Sequence, residues 1–177
     1  MYQLNKKQFQ DLGVLPAVYF MEDLFVGYKT KDGHPYSDHC ITVANFALNL
    51  AEESNLKDKD FLKNLAMIAL FHDVVEDLPT SQIEKAKKFF YNFLGPADCF
   101  VLIENYLTYK PDHQTRTQYI NNIVTCIDVK VRMVKQADLL HNSLISRVKP
   151  NETVERSLVR IEKYLKEYQA ISSGIKL

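Results

Sequence analysis

Ala69-Leu70-Phe71-His72-Asp73-Val74-Val75-Glu76-Asp77 sets an imidazole beside a carboxylate at the end of an apolar run, then adds two more carboxylates within a turn. By 3.6-residue periodicity Leu65, Ile68, Ala69, His72, Val75 and Glu76 share one broad face of a helix expected over 59–76. Asp73 falls on its flank, one turn from Glu76 and Asp77, and Pro79 stops the helix. An unpaired buried charge costs several kcal/mol or loses its charge, so an apolar face rarely carries such groups without a partner. A satisfied core histidine beside solvated helix-end acids is the bland reading. Acids at a helix C-terminus oppose the macrodipole, which counts against it. A divalent cation satisfies all of these groups at once.

Outward from this stretch, five glycines and six prolines in 177 residues, with long apolar periodicities, predict an all-α fold. Helices are expected over 17–28, 37–54 and 59–76. Ser81-Gln82-Ile83-Glu84 has the form of a capping box opening a helix to Leu94, closed by Gly95-Pro96. Helices over 97–107 and 115–126 follow. Asp128 caps a long helix to Val148, broken by Pro150, and Asn151 caps a last helix. In that last helix Val154, Leu158, Ile161, Leu165 and Tyr168 form a continuous apolar seam. There is no internal repeat or linker, so residues 1–177 read as a single compact helical bundle.

Composition narrows the function classes. Lys+Arg and Asp+Glu are equal at 22 each, so no global field favours nucleic acid or an anionic membrane. An attraction for anions must be local. Cys40, Cys99 and Cys126 have no CxxC spacing and read as reduced thiols of a cytoplasmic protein. The stretch Met1 to Gln8 has no hydrophobic signal core, and no apolar run reaches membrane-spanning length.

Two further segments supply candidate ligands. His39 sits one turn before Val43 on the inward stripe of its helix, with Tyr36 one turn earlier. Val134, Asp138, Asn142 and Ile145 share one face, which puts an aspartate in an apolar stripe where it needs a counter-charge. Lys135 or Arg132 could supply it; Asn142 points instead to a polar pocket. Together His39, His72, Asp73 and Asp138 make a mixed N/O set. That set suits six-coordinate Mn²⁺, Fe²⁺ or Mg²⁺, or an expanded Zn²⁺, rather than a Ca²⁺ cage or thiolate site. Tyr106, Tyr109, Tyr119 and His113 read as core or surface before they read as a base pocket, and His34 and His141 show no ligand geometry.

Three motifs carry a family resemblance over nearly the whole chain. They are Lys31-Asp-Gly-His-Pro-Tyr36-Ser-Asp-His39-Cys-Ile-Thr-Val-Ala44, Leu70-Phe-His72-Asp73-Val-Val-Glu76-Asp77, and Val134-Lys-Gln-Ala-Asp138-Leu-Leu-His-Asn142. In these the chain resembles the HD-domain metal-dependent phosphohydrolases. More narrowly, it is similar to the guanosine tetraphosphate (alarmone) hydrolase domain of RelA/SpoT-type proteins and their stand-alone small relatives. The resemblance implies Mn²⁺ on His39, His72, Asp73 and Asp138, catalysis by Glu76 and Asp77, and nucleotide contacts from Lys31 and Asn142. Lys29 is expected to help neutralise phosphate. Two positions depart from the family pattern. Thr30 stands where a purine-stacking arginine usual in the family would be, and Cys40 replaces the proline after the loop histidine.

The expected activity is therefore removal of the 3′-pyrophosphate of guanosine tetra- or pentaphosphate, with a small nucleotide as partner rather than nucleic acid or membrane. The alternatives are another HD-type activity, a nucleoside monophosphatase or cyclic-nucleotide phosphodiesterase, and a non-catalytic nucleotide-sensing module.

Overall fold

The structure is a computed structural model that describes residues 6–95, 99–148 and 151–177. It is all-α, with no strands among the described residues. In chain order the helices are α1 (Lys6–Asp11), α2 (Leu15–Leu24), α3 (Tyr36–Glu53), α4 (Lys59–Leu70), α5 (Val74–Asp77), α6 (Thr80–Leu94), α7 (Cys99–Leu102), α8 (Arg116–Val124), α9 (Val129–Ser143) and α10 (Val154–Ser173).

The centre is a trio of helices. α3 packs on both α4 and α9, and α10 lies along α9. Ala44, Ala47 and Ala51 on α3, Ala66 and Ala69 on α4 and Ala137 on α9 are all fully buried. Their small side chains let the helix backbones approach, while Ile41, Leu48, Leu65, Ile68, Val131 and Val134 fill the space between. Asp58 starts α4 by accepting the Phe61 N–H at 2.7 Å. A ladder of aromatic rings, Phe20, Phe71, Phe89 and Phe93, joins α2, the end of α4 and α6. Cys40, Cys99 and Cys126 are free and buried. No helix among the described residues is long and apolar enough to cross a membrane.

Several expected boundaries are corrected. The helix expected over 59–76 is broken: α4 ends at Leu70, a turn covers the next three residues, and α5 begins at Val74. The His72 ring takes up the Ala69 carbonyl at 2.8 Å, the acceptor that the Asp73 N–H would use in an unbroken helix. The Ser81–Glu84 capping box does not form. Pro79, extended at ψ 154°, is the residue before α6, and Ser81 already lies inside the first turn. A capping box forms instead at Thr115–Gln118, at the start of α8.

Asp128 does cap α9, which ends at Ser143 rather than 148 and gives way to a 3-10 turn, Ile145–Arg147. The cap of α10 is Thr153, not Asn151. The α10 seam is only partly core: Val154, Leu158 and Leu165 are 71%, 60% and 41% exposed and Ile161 is half-buried, while Tyr168 packs against the core and Ser157, Glu167, Ala170 and Ile171 are buried. The closing Pro96, the start of the 97–107 helix and the breaker Pro150 lie outside the described residues. Within that segment α7 widens into a π-helical turn, Ile103–Leu107, sealed by Thr108 N–H on the Ile103 carbonyl at 3.0 Å. This wide turn delivers the Tyr109 backbone to the site.

Candidate metal centre

Three elements converge at one end of the central trio. The first turns of α3 supply Tyr36 and His39, the α4–α5 break supplies His72 and Asp73, and α9 supplies Asp138 and Asn142. One donor atom from each of His39, His72 and Asp138 lies within 4.8 Å of the others, and all three residues are buried. Asp73 reaches both imidazoles: its Oδ2 is 3.2 Å from His39 Nε2 and its Oδ1 is 3.1 Å from His72 Nε2. Asp138 Oδ1 lies 3.5 Å from His39 Nε2 and 3.8 Å from His72 Nε2. The break in the helix is what turns Asp73 inward from the flank that periodicity assigns to it.

The donor set fits a cation. With His72 Nδ1 donating to the Ala69 carbonyl, its Nε2 is a fully buried ring nitrogen with no hydrogen-bond partner, aimed at two carboxylates. Burial opposes a charge on His72, yet Asp73 and Asp138 outweigh it and raise its pKa to about 10. The field that would hold a proton on this nitrogen would equally hold a metal ion. Burial alone would raise Asp73, but the His72 and His39 rings hold its carboxyl well below the usual range. Asp138 is likewise held low, against burial, by Lys135 and His72. Lys135 Nζ lies 2.7 Å from Asp138 Oδ2, and Asn142 Nδ2 donates to Asp138 Oδ1 at 2.5 Å. The lysine counter-charge and the polar pocket, read as alternatives in the sequence, are both present, and both orient this carboxylate.

Glu76 and Asp77 stand at the rim of the same cleft. Glu76 Oε2 accepts the Tyr109 N–H at 3.1 Å. The single Tyr36 hydroxyl sits between Asp73 Oδ2, at 2.7 Å, and Asp77 Oδ2. Its ring is stacked on Phe25, with centroids 4.7 Å apart. Partial burial and then the Asp73 charge push both rim carboxyls above their ordinary pKa values.

The cleft has a volume of about 340 Å³ and includes Lys29, Lys31 and Asn142 in its lining, together with Arg116, Arg147, Arg160 and Tyr164. Each arginine is held by a carboxylate, two of them from distant segments. Arg116 makes a two-pronged pair with buried Glu167 at 2.7 and 3.0 Å. Arg147 approaches Asp32 at 3.3 Å, and Arg160 pairs with Glu152 at 3.1 Å while donating to the Asn142 carbonyl at 2.9 Å. Lys29 and Lys31 are exposed, on a loop pinned by the Thr30 N–H to His34 carbonyl bond at 2.9 Å. Thr30 itself is buried, its hydroxyl turned onto Asp32.

Sequence reasoning missed these arginines and His141, whose Nδ1 lies 2.7 Å from His39 Nδ1. Burial, then His39 and Arg147, lowers the His141 pKa to about 3. Only Arg160 and Tyr164, four apart on α10, carry a local spacing that could have marked a shared face. Of the other aromatic residues considered, Tyr119 is core and donates to the Leu107 carbonyl, and His113 is exposed.

An all-α fold with buried imidazoles and carboxylates gathered at one end defines a metal-binding helical domain. The family model for the HD domain matches residues 36–143, more than half of the chain, and every candidate ligand falls inside that span. The chain belongs to the HD domain family. Membership and the His39–His72–Asp138 cluster support a metal-dependent phosphohydrolase that uses a divalent ion. No curated protein and no solved structure matches the chain.

Proposed function

We propose that this protein hydrolyses a phosphate ester or anhydride of a small nucleotide, removing the 3′-pyrophosphate of guanosine tetra- or pentaphosphate, with Mn²⁺ held by His39, His72, Asp73 and Asp138. The observation that carries the reading is the buried Nε2 of His72, which makes no well-aligned hydrogen bond and faces Asp73 and Asp138 beside the Glu76–Asp77 rim of a cation-lined cleft. A cation held there would supply Lewis acidity, lowering the pKa of a water and polarising a phosphoryl oxygen.

The chain's own residues do the rest. Glu76 and Asp77 orient or deprotonate the attacking water, or protonate the leaving 3′-oxygen; raised carboxyl pKa values suit either task. Tyr109 N–H holds Glu76 and Tyr36 OH holds Asp77 at the rim of the cleft. Lys31 and Lys29 neutralise phosphate at the loop, and Asn142 contacts the nucleotide from the cleft wall. Arg116, Arg147 and Arg160 offer a second cationic wall, which fits a substrate carrying phosphate at both ends. With Thr30 tied to Asp32, the loop has no guanidinium at that position to stack on a purine.

The test is a substrate panel on metal-reconstituted protein. Pyrophosphate release from guanosine tetraphosphate supports the proposal. Free phosphate from nucleoside monophosphates, or opening of cyclic nucleotides, moves the assignment to another HD-type activity. Nucleotide binding with no turnover under saturating metal makes the protein a sensor.

A further inference from the structure

We propose that His141 is a positioning residue that fixes the His39 ring for cation binding, a role that rests on the metal reading above. The two Nδ1 atoms lie 2.7 Å apart, and the ring planes are 19° from parallel with centroids 4.9 Å apart, so the rings meet edge to edge through these nitrogens. His39 is 3% and His141 8% exposed. Two ring nitrogens at that separation share one proton, so one ring donates and the other accepts.

The stoichiometry of protons decides which. His39 Nε2 faces Asp73 and Asp138, and a ligand must present a lone pair there. The proton of a neutral His39 therefore sits on Nδ1, His141 Nδ1 accepts it, and the proton of His141 is on its Nε2. His72 reaches the same state through the Ala69 carbonyl. His39 lies in the first turn of α3, and its Nδ1 has a side chain from α9 as its partner instead.

His141 is three residues beyond Asp138, so a single face of α9 carries both a ligand and the acceptor that orients a ligand on α3. Phe46, edge-on with its centroid 6.1 Å from that of His141, limits rotation of the ring. His141 does not line the cleft and is not one of the three clustered donors. Its action is through His39 alone.

Mn²⁺ affinity of the metal-stripped chain, measured by titration calorimetry, tests this with His141→Leu and His141→Asn. The asparagine side-chain oxygen takes the place of Nδ1 as an acceptor, whereas leucine offers none. His141→Leu is expected to weaken Mn²⁺ binding about 10–100-fold, the usual cost of losing an outer partner of a ligand histidine. His141→Asn keeps most of the affinity. Equal affinity for the leucine variant and the unaltered chain, or equal losses in both variants, overturns the role.

If the leucine variant fails to fold, imidazole ¹⁵N spectra of the Zn²⁺-loaded unaltered chain decide. A proton on His39 Nδ1 supports the assignment, and one on His141 Nδ1 overturns it. Absence of Mn²⁺ binding by the unaltered chain overturns this role and the metal reading together, whereas tight binding that is indifferent to His141→Leu removes only the former.

Discussion

The inner and outer halves of the cleft handle charge in opposite ways. Inside, Asp138 is paired with Lys135, but His72 Nε2 makes no well-aligned hydrogen bond and Asp73 faces two imidazoles rather than a fixed cation. Outside, each arginine is already matched: Arg116 by Glu167, Arg147 by Asp32 and Arg160 by Glu152. An unsatisfied donor set gains by taking up a cation. A set of neutralised, immobilised guanidiniums stays in place without a ligand and still has N–H groups to offer a phosphate. The inner half is built to be completed and the outer half to be rigid beforehand.

The sharpest way to break that contrast is to remove an inner donor. His72→Ala or Asp138→Ala is expected to abolish metal binding and turnover together, checked by metal content after gel filtration and by product release. Asp138→Ala also leaves buried Lys135 without its partner, at a cost of about 3–5 kcal/mol, so Asp138→Asn should accompany it. Next in size, Glu76→Gln keeps the metal but slows turnover roughly 10²–10⁴-fold. In the unaltered protein a carboxylate acting as base loses activity as pH falls through its pKa. Because the Glu76 pKa lies above 4.5, the acid limb of the rate profile is expected above that value and should vanish in Glu76→Gln. Full rates in both Glu76→Gln and Asp77→Asn would refute the acid/base assignment.

The outer wall gives smaller effects of a different kind. Glu167→Gln leaves Arg116 less firmly held, with an expected loss of about 3 kcal/mol in denaturant unfolding and a raised KM at unchanged metal content. Lys31→Ala, at an exposed loop position, should raise KM only several-fold, and the difference should shrink with added salt. A loss of metal in either variant would mean that the two halves are not separate.

Legibility follows the same division. α3, expected over 37–54, is Tyr36–Glu53, and α9 begins at its Asp128 cap, because period and capping are local properties. The break after Leu70 was illegible, since periodicity continues through it and the turn that replaces the helix, with His72 on the Ala69 carbonyl, leaves no mark in the spacing. The α10 seam misled for the opposite reason. A clean apolar spacing says that a face exists, but which face is buried depends on partners elsewhere, such as Arg116 on α8, which takes up Glu167.

What the residues by themselves determined is the helical class and the chemical identity of the inner donors, because both are written in residue type and in spacing over one or two turns. Only the tertiary structure decided that Asp73 meets His39, that His141 backs His39, and that Arg116 and Arg147 meet Glu167 and Asp32. Those outcomes depend on distances between segments separated by tens of residues, and a hydrogen bond or ion pair exists only once packing has set that distance.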